Sequence, residues 1–194
     1  PYKSPTDMGV NMAGNCIVDD EACREAGRQE IIRRWYTGMN RLVEGDAEKS
    51  EVTKIEFLMK QAGVTANNRP VVHAALLKAE VTGAPAAALE LPDGRIVTGK
   101  TSELLGASAA VLLNAVKTLG DIPDEIKLIS PTVIEPVQTL KVKYLGSKNP
   151  RLHTDEILIA LSMNAASDPN AAHALEQLKK LRGCQVHTSV MLSE

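Results

Sequence analysis

The run from Gly94 to Thr101, Gly-Arg-Ile-Val-Thr-Gly-Lys-Thr, satisfies the spacing of a phosphate-binding loop. In such a loop a glycine-rich turn aims successive amides at phosphate, and a lysine and a hydroxyl complete the site. Ile96, Val97 and Thr98 favour extended backbone, however, and Pro92-Asp93-Gly94 is a hairpin turn signal. The residues therefore read as a strand over Arg95 to Thr98, with Gly99-Lys100-Thr101-Ser102 as an exit loop able to contact an anion. A second candidate is Asn149-Pro150-Arg151-Leu152-His153-Thr154-Asp155-Glu156. Its proline-restricted loop sets Arg151 and His153 before a helix start, where free amides favour anions. The plainer alternative is that Thr154, Asp155 and Glu156 only cap that helix, and two carboxylates there would repel an anion. If both segments serve one site, Lys100, Thr101, Ser102 and Arg151 bind a small anionic ligand through charge-assisted hydrogen bonds. His153 would then be placed to move a proton, the role for which histidine side chains are suited near neutral pH.

Metal chemistry has weaker support. Cys184 and His187 stand three apart, which on a strand sends them to opposite faces. Cys16 and Cys23 make no better pair, and none of His73, His153, His173 and His187 belongs to an H-E-x-x-H sequence. No metal is expected, and no cofactor can be named. Arg24, Arg28, Arg33 and Arg34 intersperse with Glu21, Glu25 and Glu30, a pattern of intrahelical ion pairs. The functional alternative presents one of these arginines to a ligand.

The elements that position these residues change character along the chain. After an irregular lead-in over residues 1–18, apolar spacing predicts helices from about Asp19 to Glu44, over 48–62, and from Pro70 to about Val81. Two β-prone runs, 86–91 and 95–101, then flank the hairpin turn. A helix over 106–119 and a short buried strand from Lys127 to Ser130 follow. Ile134, Val137, Leu140, Tyr144 and Leu145 recur at helical spacing, Thr154 opens a helix through Met163, and Asp168-Pro169 opens another. A last strand is expected from Cys184 to Met191. The division is thus a helical subdomain over 1–82 and an α/β sandwich over 83–194. The cluster of Ile31, Ile32, Trp35 and Met39 is apolar enough to predict packing on another domain or subunit.

The chain has 194 residues, with 22 Lys and Arg against 24 Asp and Glu and a formal charge of -2. That balance offers no field for a polyanion, so nucleic acid is not an expected partner. No apolar run approaches a membrane span, so no membrane is expected either. Three cysteines without framework spacing fit a reducing compartment, the cytoplasm.

Four segments, Ser4 to Gly14, Gln29 to Arg34, Thr98 to Ser102 and Asn149 to Glu156, resemble a family of long uncharacterised bacterial proteins, some of them labelled ATP-dependent zinc proteases. The resemblance implies that this chain is the C-terminal portion of a longer protein, with the rest of that protein as a partner. The order hairpin, Ala-rich helix, strand ending in proline, helix is similar to the cytidine-deaminase-like fold. The zinc-ligand positions of that fold hold Gly106-Ala107-Ser108-Ala109-Ala110 and Pro131-Thr132-Val133-Ile134-Glu135, so the resemblance implies a zinc-free relative. Two readings follow. One is a ligand-binding and assembly portion, part of a homo-oligomer. The other is a zinc-free transferase or hydrolase acting on a phosphorylated or nucleotide-like small molecule.

Overall fold

The computed structural model describes residues 19–191; the lead-in, Ser4 to Asn11 and Cys16 lie outside them. The chain divides into two compact units, one ending at Arg69 and the other beginning at Pro70. The expected division stood at 82/83. It comes earlier because the helix starting at Pro70 packs on the sheet of the second unit.

In the first unit, helix α1 (Asp20–Glu44) starts at Asp19, whose Oδ1 accepts from the Ala22 amide at 2.8 Å. It stops at Gly45, whose φ of 85° few other residues adopt readily. The expected ion pairs line its exposed side. Glu30 accepts from Arg33 Nε at 2.6 Å and Arg34 Nε at 2.8 Å, and these hydrogen bonds hold its carboxyl at about 2. Helix α2 (Lys49–Ala62) ends at Gly63. Ile32 is fully buried with Met59 and Val64, while Ile31, Trp35 and Tyr36 close over them. The Trp35 indole donates to Glu56 of α2 at 3.3 Å. Of the apolar cluster expected to seek another subunit, Ile32 is buried within its own unit, while Ile31, Trp35 and Met39 are half-buried.

The second unit is α/β. Helix α3 (Pro70–Thr82) precedes strands β1 (Ala86–Glu90) and β2 (Ile96–Lys100), which pair antiparallel with Ala86 opposite Lys100 and Glu90 opposite Ile96. Gly94, at φ 83°, makes the turn, and Asp93 Oδ1 accepts from the Arg95 amide to hold it. The P-loop-like run is a hairpin, as its β-branched residues imply. Strand β3 (Val186–Thr188) pairs antiparallel with β1, giving the order β2-β1-β3. It is shorter than the span from Cys184 to Met191.

Alternation along β1 decides the layers. Ala88 packs with Val71 and Ala75 of α3; Ala87 and Leu89 pack with Ala107, Val111 and Ala115 of helix α4 (Ala107–Leu119). The other side of α4 enters a second core with helices α5 (Pro131–Thr139), α6 (Thr154–Ala165) and α7 (Pro169–Gln177), centred on Val116, Leu152, Ile157 and Leu161. Residues 127–130 form no strand, and Leu128 and Ile129 make a bend. The described sheet is therefore small and antiparallel, without the additional strand that a deaminase-like sandwich called for. Asn164 of α6 takes the Leu128 carbonyl at 2.7 Å, a side-chain partner where a ladder was expected.

Helix α5 runs on into a π-helical turn, Leu140–Tyr144. Each π turn holds one residue more than an α turn and so rotates everything after it around the axis. The expected apolar face is broken there: Leu140, Tyr144 and Leu145 are exposed, and Lys141 is buried.

Gly99 carries the tightest demand. A Cβ at this position would fall on the Val111 nitrogen and the Ala110 carbonyl carbon, backbone atoms of α4 that cannot step aside. Gly99→Ala is expected to destabilise the protein by about 1–3 kcal/mol through overpacking. Urea denaturation checks this, and an unchanged midpoint would refute the close-approach argument.

Candidate functional site

Two loops of the second unit are laced together just before their helices. Leu105 and Leu152 form a parallel bridge; the Leu152 amide donates to the Leu104 carbonyl at 2.9 Å and the Gly106 amide to the Leu152 carbonyl at 3.1 Å. Helix α4 begins at Ala107 and α6 at Thr154, immediately after this bridge. Both helix N-termini therefore border one cavity of about 380 Å³. Its wall includes Thr101, Ser108, Asn149, Arg151, His153 and Asp155, with Pro85, Val190 and Met191 as the apolar part.

Three of the five expected site residues, Thr101, Arg151 and His153, line this cavity. Ser102 contributes through its backbone: its carbonyl accepts from Arg151 Nε at 2.7 Å, while its hydroxyl accepts from the Leu104 and Leu105 amides. Lys100 is not in the wall. Strand alternation puts it on the face opposite Gly99, and Gly99 is the residue that meets α4. Among the described ion pairs none involves Arg151, so its guanidinium keeps donors beyond the one given to Ser102.

The expected cap is displaced by one residue. His153, not Thr154, is the N-cap of α6, and Glu156 reaches back to accept from the His153 amide at 2.7 Å. Thr154 is freed to donate to Ser108 Oγ at 3.1 Å, which leaves the Ser108 proton available to a further acceptor. Asn149 Oδ1 accepts from the Arg151 amide at 3.1 Å, which turns its NH₂ group towards His153 Nε2 at 3.0 Å.

Lys141 is the principal residue that spacing did not reveal. It is only 8% exposed; its ammonium donates to the Arg151 carbonyl at 2.6 Å and to Glu156 Oε2 at 2.9 Å. The same carboxylate oxygen holds the His153 amide, so one buried pair fixes the backbone on both sides of Leu152. A signal for it existed in the Glu at the third position of the helix, where a capping box reaches back. Nothing in the periodicity marked Lys141 as inward.

Comparison with known proteins follows the same division. Residues 67–194 match the family model described as "Domain of unknown function DUF1846, C-terminal", and residues 1–63 match "Domain of unknown function DUF1846, N-terminal". The chain belongs to the DUF1846 family. Similar relatives are UPF0371 proteins of Corynebacterium aurimucosum, 57% identical over 192 residues, and Streptococcus thermophilus, 53% identical over 194 residues. These alignments cover 99% and 100% of this chain, which spans 39% of the length of each relative. The chain carries matches to both family models, not to the C-terminal one alone. Among the described residues no helix is long and apolar enough to cross a membrane.

The Glu156 carboxyl shows how this DUF1846 chain holds its loop. Burial pushes its pKa up, but the His153 amide and the Lys141 ammonium pull it further down, to a net value below the ordinary one. The carboxylate thus contributes stability at neutral pH that is lost as pH falls through the lowered folded value. Glu156→Gln is expected to cost about 1–3 kcal/mol at pH 7. The gap from the unaltered protein should shrink as pH falls below the ordinary carboxylate range and the Glu156 carboxylate takes up its proton. Urea denaturation at each pH checks this, and a gap independent of pH would refute the assignment.

Proposed function

We propose that the second unit of this DUF1846 protein binds a small organic anion, phosphate- or carboxylate-bearing, in the cavity between the starts of α4 and α6. The observation that carries this reading is the lacing of two helix N-termini side by side, with the Arg151 guanidinium, in no ion pair among the described residues, on the same wall. Each helix start carries a partial positive charge on amides without intrahelical partners. In this reading those amides and Arg151 receive the anionic group, the hydroxyls of Thr101 and Ser108 give it further donors, and Pro85, Val190 and Met191 cover the organic part.

Enzymatic turnover is a second reading, favoured by one observation: the His153 ring lies in the cavity wall beside Arg151. In it, the protein is a zinc-free transferase or hydrolase acting on a phosphorylated or nucleotide-like molecule, with His153 moving a proton after exchanging its Asn149 contact. Cysteine usage supports a cytoplasmic setting for either reading.

Isothermal titration with inorganic phosphate, glucose 6-phosphate and AMP tests the binding. Arg151→Ala is expected to weaken the tightest of these about tenfold or more, since hydrogen bonds to charged groups are worth about 1.5–3 kcal/mol. Lys100→Ala should leave affinity unchanged. Absence of saturable binding by all three probes, or equal affinity in Arg151→Ala, would overturn the proposal.

A further inference from the structure

A second cavity, sharing no lining residue with the first, has a volume of about 290 Å³ and walls formed chiefly by Leu105, Leu113, Ile126, Ile129, Ile134 and Ile157. It has no lining residue that was expected to act. A closed apolar cavity of about 150 Å³ takes a benzene ring. This one has room for a ring with a short chain, or a chain of roughly eight carbons.

Its polar margin is small and unequal. Asn114 is committed through its NH₂ to the Thr98 carbonyl at 2.9 Å, and Lys117 donates to the Asp124 carbonyl at 2.8 Å. The Asp124 carboxylate brings one negative charge to the margin; Lys117 and Lys127 bring two positive ones. Lys127 has no ion-pair partner among the described residues. A single small anionic head suits this balance, whereas Asp124 disfavours a dianion.

The backbone supplies an independent observation. Leu128 and Ile129 line the cavity and are 3% and 6% exposed, yet no group among the described residues accepts from either amide. Their segment is anchored by the Leu128 carbonyl to Asn164, which leaves the amides unmatched. Buried backbone donors are nearly always paired in folded proteins, so these two call for an acceptor.

We propose that this cavity is a binding site for a small apolar monocarboxylate, a ring or a chain of roughly eight carbons, whose apolar part fills the pocket. Its carboxylate meets Lys127 and the amides of Leu128 and Ile129. The site is separate from the one bordered by Arg151 and His153, and its recognition is inverted: apolar walls set the size, and one charge sets the orientation.

The test titrates octanoate, and separately octanol, into the ¹⁵N-labelled protein. Octanoate is expected to bind saturably and shift the Leu128 and Ile129 amide resonances, and octanol to bind more weakly. Lys127→Ala, a change at an exposed side chain, should weaken octanoate about fivefold and leave octanol unaffected. Ala110→Leu, which reduces the cavity, should weaken both. No saturable octanoate binding, octanol binding as tightly as octanoate, or shifts that bypass Leu128 and Ile129 would each overturn the proposal.

Discussion

Helix α4 is buried from two directions, and this is possible only because the strands beneath it are made of the smallest residues. Ala87 of β1 and Gly99 of β2 let its backbone approach until Val111 and Ala110 occupy the space that any side chain at position 99 would need. Its opposite side, with Ala109 and Val116, meets α6 and α7 through Ile157, Ala160 and Ala174. With both sides packed, α4 has little freedom to slide or rotate, because interiors at this density transmit any shift to their neighbours. The place where its N-terminus emerges is thus set by packing far from the site. The bridge between Leu105 and Leu152 then fixes the start of α6 beside it.

Much of this architecture was legible in the residues, for reasons that can be named. Asp19, Gly45, Gly63 and Pro70 announce helix ends because capping and left-handed backbone are local chemistry. The turn at Pro92-Asp93-Gly94 set the β1–β2 register in the same local way. The strand expected at 127–130 failed because four apolar-rich residues before a proline satisfy a buried strand and a buried bend equally well. Nothing local says whether a ladder partner will be present. The cluster around Trp35 was recognised as needing cover, but periodicity alone could not identify α2 as the cover.

The site was half legible for a related reason. Arg151, His153 and Thr101, which line the first cavity, drew notice because loop residues near a helix start are chemically suggestive one at a time. Lys100 misled, since a lysine after glycine imitates a phosphate loop while strand geometry decides where it points. Lys141 was hidden by the π turn, which rotates the face that a regular helix would have shown. A buried ammonium costs several kcal/mol to desolvate, and its pairing offsets that cost only with good geometry. Here the ammonium reaches both a carboxylate and a carbonyl, so the pair is better understood as setting the loop's conformation than as adding net stability.

Asp155 sharpens what the first cavity can accept. It sits in the first turn of α6, where a carboxylate is favoured by the same partial charge that would attract a ligand's anionic group. A bare anion at the α6 start would therefore compete with Asp155, whereas the α4 start has no acidic residue in its first turn. The two helix ends are thus unequal, and the anionic group of the proposed ligand would sit nearer α4, with Ser108 and Arg151. A carboxylate left on the α6 side is suited to accept from hydroxyl or amino groups on the same molecule. Charge placement across the cavity consequently favours a molecule with an anionic end and a hydrogen-bond-donating end over a simple inorganic anion.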